Sequence, residues 1–425
     1  MREDFLHYCW RTQRLDLTGL RTTENEPVEV LSRGLLNTHA GPDFSDARVR
    51  IGNTRWAGNV EMHVRASEWR QHGHQHDPAY DSVILHVVHT DDVPVYHRSG
   101  SRIPTVELKD RIPLDLYDSY RRLIDNEHWI PCEPLFPEVR PLTRTVWLDR
   151  LLVERLERKT AYIDELLTQT HNDWEATAYR FLLRNLGLRV NTEAFALLAA
   201  ATPIGVLRKH QPELFDLEAL LFGQSGLLPE GGDAGYAPEL WRRYQYLRKK
   251  YQLLAMPVAA WKFLRLRPAN FPTLRIAQTA ALLHQRLPLF QSLLALTDAK
   301  AGAAFFHVSP SVYWQHRYRF GEAGLAKEKP IGAATGRLLL INAVVPLLFA
   351  YGKRRGNERF RQQALDLLED LPAERNAIIQ YWKKLGVEVE NAHRSQALLQ
   401  LKNAYCQPKR CLQCAIGHAV LKRKG

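Results

Sequence analysis

Two styles of hydrophobic spacing divide the chain. Over residues 2–14, Phe5, Leu6, Cys9 and Trp10 recur near helical spacing, which predicts a short helix. Extended segments follow. Residues 27–31 read as a strand, and residues 47–51 (Ala-Arg-Val-Arg-Ile) alternate apolar with charged positions as a half-buried strand does. Gly52-Asn53 is a turn signal, so residues 55–64 are the hairpin partner. Residues 82–88 are short and dense in β-branched side chains, the mark of a buried strand. Residues 93–96 and 103–108 are two further strand candidates, and residues 67–80 supply a short helix or a loop. From about Leu142 the period becomes helical. Residues 146–167, 174–187, 192–201, 238–254 and 365–385 carry apolar stripes, the last interrupted at Pro372. No fixed period repeats, so a solenoid is not supported.

The pattern predicts an α+β fold class: an N-terminal mixed-sheet domain over 1–110, a Pro-rich connection over 111–141, a larger all-α domain over 142–404 and a short Cys-containing tail over 405–425. Residues 231–232 and 321–332 read as loops.

Charge sharpens the division. Residues 1–140 hold 17 Lys/Arg and 22 Asp/Glu, a net of −5, with 10 of the 17 histidines, whereas residues 141–425 carry a net of +17. A basic body suggests a polyanionic partner, nucleic acid before a membrane surface. No uncharged apolar run reaches the ~18 residues of a span. The nearest, residues 338–351, is short and contains Asn342 and Pro346. The N-terminus lacks the apolar core of a signal peptide. Five cysteines are too few for a disulfide scaffold, so the expectation is a cytoplasmic protein with no membrane segment. A homo-oligomer stays open.

The first chemical constellation is Gly41-Pro-Asp-Phe44 followed by Gly58-Asn-Val-Glu-Met-His63. Asp43 precedes one strand. Glu61 and His63, two apart in the next strand, share a face. Hairpin pairing would bring Asp43 and Glu61 together as a hard-oxygen site for Mg2+ or Mn2+. Such a cation polarises a phosphodiester and generates hydroxide. The alternative is that Asp43 caps a turn and Glu61 is a solvated strand residue.

This arrangement resembles the PD-(D/E)XK nuclease superfamily, with Pro42-Asp43 and Glu61-Met62-His63 standing for its two motifs. The resemblance implies a PD-(D/E)XK-like N-terminal domain, with Asp43 and Glu61 as metal ligands and His63 orienting or activating water. His63 takes the Lys position, and unlike Lys it need not be charged near neutral pH. Over a longer span the stretches Asn37-x-x-Ala-Gly-Pro-Asp-Phe44, Trp56-x-Gly-Asn-Val-Glu-x-His63, Ile84-Leu-His-Val-Val88, Glu218-Ala-Leu-Leu-Phe-Gly223, Arg265-Leu-Arg-Pro-Ala-Asn-Phe-Pro272 and Tyr405-Cys-x4-Cys-x2-Cys414 resemble the bacterial family called domain of unknown function 2851. That resemblance transfers no settled activity.

The second constellation is Trp69-x2-His72-Gly-His74-x-His76-Asp77. His39, His72, His74 and Asp77 are expected to support the site, with a transition metal on the imidazoles as a further possibility. A solvent-exposed His-rich turn is the plain alternative. The third is Cys406-x4-Cys411-x2-Cys414 with His418. Three thiols at this spacing can converge on Zn2+, or less favourably on an Fe–S cluster. His418 is the nearest fourth ligand, and Cys9 or Cys132 would have to arrive from afar. The fourth is a set of cations interleaved with rings: Arg242, Arg243, Lys249, Lys250, Arg265, Arg267, Arg317, Lys353, Arg354 and Arg355 are the expected phosphate contacts, the rings being able to stack on bases. No Gly-rich phosphate loop or nucleophile elbow is present. The expectation is a metal-dependent nuclease of DNA or RNA. The alternative is a non-catalytic nucleic-acid-binding or assembly protein on a decayed nuclease fold.

Overall fold

The computed structural model describes all residues except Thr38, residues 231–234, Glu322 and residues 423–425. The predicted loop at 231–232 and the tail cations Arg423 and Lys424 therefore lie outside the described residues. The chain forms two compact units: Met1–Trp147 with Lys402–Gly425, and Leu148–Leu401. The fold class is α+β, with an N-terminal mixed sheet and a larger helical region.

In the first unit, α1 (Glu3–Thr12) buries Phe5, Leu6, Tyr8, Cys9 and Trp10 and packs on the sheet strand that carries Glu61. The strands are β1 (Val28–Ser32), β2 (Leu35–Leu36), β3 (Phe44–Ile51), β4 (Thr54–Arg65), β5 (Val83–Thr90) and β6 (Thr105–Glu107). Their order is β1-β3-β4-β5-β6, with β2 also paired to β3. β3 and β4 form the antiparallel hairpin expected from Gly52-Asn53, in the register Ile51 opposite Thr54. β4 then runs parallel to β5, and β5 parallel to β6. A parallel pair needs a crossover. It is made by α2 (Glu68–Gln71) and two short 3-10 turns, which carry the His-rich segment over the sheet. Ala66, Trp69, Tyr80, Val83, Val88, Val95 and Ile103 form a core beneath it.

Three segments differ from their sequence pattern. Residues 93–96 make no strand; Tyr96 forms only an isolated bridge with Arg102. The expected connection over 111–141 contains α3 (Leu114–Asp125), whose Leu116, Tyr120, Leu123 and Ile124 are buried at helical spacing. Prolines flank that stripe and mask it. The expected tail is structured as well: it clusters with the first unit, and the helix Ala415–Leu421 packs on α3.

The second unit is helical. It includes Trp174–Leu186, Thr192–Ala201, Leu214–Ser225, Tyr236–Tyr251, Pro272–Arg286, Val345–Arg355 and Glu358–Asp370. The helical stretch Ala333–Arg355, which includes Arg337 and Lys353, is long and apolar enough to cross a membrane by length and composition, and 67% of its apolar window is buried within the protein. A π-turn over Leu340–Val344 precedes Pro346, whose missing N–H would otherwise break the helical ladder.

Candidate metal centre

Strand register makes the centre. Phe44 pairs with Val60, so Asp43 falls beside Glu61 at the open end of the β3–β4 ladder. The two carboxylates are held reciprocally: the Asp43 N–H donates to Glu61 Oε2 at 3.0 Å, and the Met62 N–H donates to Asp43 Oδ2 at 3.0 Å. Backbone donors therefore fix both side chains, and the hairpin pairing expected from sequence is observed.

Two further groups come from α1. His7 Nε2 lies 3.1 Å from Asp43 Oδ2, and Glu3 Oε1 lies 3.8 Å from His7. One donor atom from each of Glu3, His7 and Asp43 falls within 4.8 Å of the others. Sequence reasoning missed Glu3 and His7. The available signal was their i, i+4 spacing on the predicted helix, which puts them on one face.

The His-rich segment closes the other side. His74 Nε2 approaches Glu61 Oε1 at 3.3 Å, His63 Nε2 approaches the same oxygen at 3.7 Å, and His63 Nε2 lies 3.2 Å from His72 Nδ1. One nitrogen from each of His63, His72 and His74 likewise falls within 4.8 Å of the others. His74 stacks on Tyr80 at 3.8 Å and meets the edge of Trp69, which fixes its ring. The other nitrogen of His63, Nδ1, is 2.9 Å from His86 Nε2, the parallel register bringing β5 alongside. Of the expected supporting residues, His72 and His74 join the cluster. His39 is exposed, with its backbone N–H bonded to Asn37, and Asp77 caps a 3-10 turn through the Ala79 N–H. Neither is part of it.

Burial decides the charges. It raises the Glu61 pKa well above the carboxylate range, and the neighbouring Asp43 charge adds to this. Burial and then His7, Asp43, His72 and Glu68 act on Glu3, whose pKa is also raised. His63 is only 1% exposed. Burial, followed by the possible charges on His86, His74 and His72, pushes it down to about 2, and burial takes His86 to about 3. Burial also opposes the His7 imidazolium, but the close approach and charge of Asp43 raise its pKa overall. The centre thus sets imidazoles that burial keeps neutral, His63 and His74, beside the Asp43 and Glu61 carboxyls, whose mutual repulsion a cation would relieve.

That donor set fits a divalent metal. Imidazoles and carboxylates together suit Mn2+ and its first-row neighbours better than Mg2+, which favours oxygen alone. His7 Nε2 and His74 Nε2 are buried without a well-formed hydrogen bond, each facing a carboxylate oxygen.

The remaining expected residues fall elsewhere. In the helical unit Arg243 makes a two-pronged ion pair with Asp216, Lys353 pairs with Glu157 and Arg354 with Asp164. Arg242, Lys249, Lys250, Arg265, Arg267 and Arg355 are exposed, and Arg317 lies over the Tyr313 ring at 4.4 Å. Cys406, Cys411 and Cys414 are buried free thiols. His418 Nε2 is instead hydrogen-bonded to the Leu412 carbonyl and lies 3.4 Å from the Arg11 guanidinium, so it is engaged away from the expected ligand role.

No curated protein and no solved structure matches the chain. Residues 3–377, which include the whole carboxylate–imidazole cluster, match one family. The chain belongs to the family described as Protein of unknown function (DUF2851).

Proposed function

We propose that the protein is a metal-dependent phosphodiesterase acting on nucleic acid, with Asp43 and Glu61 at its centre. The observation that carries this is the reciprocal backbone clamp on those two carboxylates, around which Glu3, His7, His63, His72 and His74 gather. The order helix, antiparallel hairpin, crossover and parallel strand also supports a PD-(D/E)XK-like reading of the sheet. Asp43, Glu61, His63, His72 and His74 would hold the ion, Mn2+ being the best match to mixed oxygen and imidazole donors. When bound, it supplies Lewis acidity and a water of lowered pKa.

The chain's own groups have separate tasks. His7 holds Asp43 from α1. His86 bonds His63 Nδ1, and when His63 Nδ1 carries the proton, Nε2 is left as a lone-pair donor. Tyr80 and Trp69 keep His74 from turning away. His72 lies at the exposed edge of the cluster, open to solvent.

The test is purified protein with single- and double-stranded DNA and RNA in Mn2+ or Mg2+. Cleavage is expected in Mn2+, falling at least ~100-fold in Asp43→Ala and Glu61→Ala, in line with loss of a site that acts mainly through its cation. No cleavage of any substrate, or full activity in both variants, would overturn the proposal. A second reading, binding without turnover, is favoured by the neutrality of His63, which does not supply the charge of a lysine. It predicts salt-sensitive binding that Asp43→Ala leaves intact.

A further inference from the structure

Four of the five cysteines lie in one place in the first unit. Cys406 ends a π-turn (Leu401–Cys406), Cys411 opens a 3-10 turn (Cys411–Gln413), and Cys414 precedes the helix Ala415–Leu421. Cys132 comes from the segment after α3. Two lysines tie these segments together. Lys402 donates to the Trp129 carbonyl and lies over the Trp129 ring at 4.5 Å. Lys409 donates to the carbonyls of Ile124 and Asn126. Asn126 in turn donates to the Pro131 carbonyl at 2.9 Å, which fixes the residue before Cys132.

The backbone around the thiols is close-fitting. A Cβ on Gly417 would lie 2.2 Å from the Cys411 carbonyl oxygen, so only glycine lets the last helix return against that turn. All four thiols are buried and none forms a disulfide. Each is within electrostatic reach of the others: Cys132 responds to Cys414 and Cys411, Cys406 to Cys132, Cys414 and Cys411, and Cys411 to Cys414. Burial pushes every one of these thiols up.

Four buried thiols can simply be small apolar packing. Two observations argue otherwise. The backbone N–H groups of Gly417 and Ile416 and the indole of Trp147 lie against the Cys414 sulfur and favour its thiolate. Donors gathered at one sulfur suit a thiolate, as around metal-bound cysteine. Spacing is the second. Zn–S bonds of about 2.3 Å in a tetrahedron hold sulfurs roughly 3.8 Å apart. Among the described residues no three of these sulfurs lie within 4.8 Å of one another. A cluster that gives each cysteine its own iron spans a wider set.

We propose that Cys132, Cys406, Cys411 and Cys414 together ligate a 4Fe–4S cluster, with Cys9 and His418 outside the ligand set. Each thiol gives its proton to solvent on ligation. The site pins the C-terminal segment to the α3 region. It stands independently of the phosphodiesterase proposal, because none of its residues belongs to the carboxylate–imidazole cluster.

The experiment is anaerobic purification of the full chain, with iron, acid-labile sulfide and zinc measured together with the visible and paramagnetic-resonance spectra. About four irons and four sulfides per chain, with a broad visible charge-transfer band, are expected. His418→Ala and Cys9→Ser should retain them. Cys132→Ser should lower the iron content at least twofold or change the spectrum of the reduced cluster. One zinc without iron would overturn the cluster, and neither metal after anaerobic reconstitution with iron and sulfide would overturn the site. Full iron in Cys132→Ser with an unchanged spectrum, or iron lost in His418→Ala while Cys132→Ser keeps it, would overturn the ligand assignment. Because iron and sulfide are measured on the wild-type chain first, a variant that fails to fold leaves the central test standing.

Discussion

At the residue scale, burial is what sequence could not show. In the proposed PD-(D/E)XK-like reading His63 stands where a lysine is expected, and the reading depends on whether it is charged. Packed between His86 and His72 and 1% exposed, it is held neutral by burial. The motif residue Glu218 had no chemical account in sequence and gains one from burial alone. It is fully buried, accepts a hydrogen bond from the Ser311 hydroxyl at 3.1 Å, and burial raises its pKa to about 8 despite the Ser311 and Trp314 hydrogen bonds. The folded state therefore keeps a proton that an unfolded glutamate, at its ordinary 4.5, has released. Stability contributed by this group is intact below about 4.5 and declines as the pH rises through about 8. Glu218→Gln should remove that decline. Thermal unfolding from pH 5 to pH 9 should show the wild type losing stability relative to the variant, at about 1 kcal/mol per pH unit within the window. Parallel pH profiles would show that Glu218 ionises without cost.

At the element scale, legibility followed periodicity. The helix at Thr192–Ala201 and the hairpin at Gly52-Asn53 were readable because one spacing dominated each segment. The α3 helix was hidden by flanking prolines, and the strand expected at 93–96 was not built because its β-branched residues had only an isolated bridge to join. Asp43 and Glu61 were legible through register. For Glu3 and His7 the spacing encodes a shared helix face, but their meeting with Asp43 comes from tertiary packing that spacing does not encode. The family motif Glu218-Ala-Leu-Leu-Phe-Gly223 proves to be a helix–helix contact. A Cβ on Gly223 would lie 2.1, 2.2 and 2.4 Å from three carbons of the Tyr244 ring, and the Tyr244 hydroxyl is 2.9 Å from the Gln224 amide. Gly223→Ala should gain about 1 kcal/mol in helix propensity and lose on the order of 3 kcal/mol to overpacking between Leu214–Ser225 and Tyr236–Tyr251. The expected net is a lower melting temperature, read by calorimetry. An unchanged or higher value would mean that the two helices are free to separate.

At the scale of the whole molecule, the compact units redraw the charge balance. Residues 1–147 with 402–425 hold 24 Lys/Arg and 22 Asp/Glu, a net of +2, while residues 148–401 hold 34 and 24, a net of +10. The net −4 of residues 1–147 is more than offset by the net +6 of residues 402–425, which cluster with them, and the helical unit alone stays strongly basic. Ion pairing reduces the number of cations free to meet phosphate. Lys353 and Arg354 are held by Glu157 and Asp164, whereas Arg242, Lys249 and Lys250 are exposed on the helix Tyr236–Tyr251, with Lys250 over the Tyr246 and Tyr251 rings. If the helical unit binds nucleic acid through phosphate, each free contact releases counterions and contributes about 0.9 to the slope of log affinity against log salt on duplex DNA. Replacing Arg242, Lys249 and Lys250 by alanine together should weaken binding and lower that slope by about 2 to 3, without regard to base sequence. Replacing Lys353 and Arg354 should change the slope by less than about 1, because those charges are already neutralised locally. Equal losses for the two sets, measured by fluorescence anisotropy over a salt series, would place the phosphate-binding surface elsewhere on the helical unit.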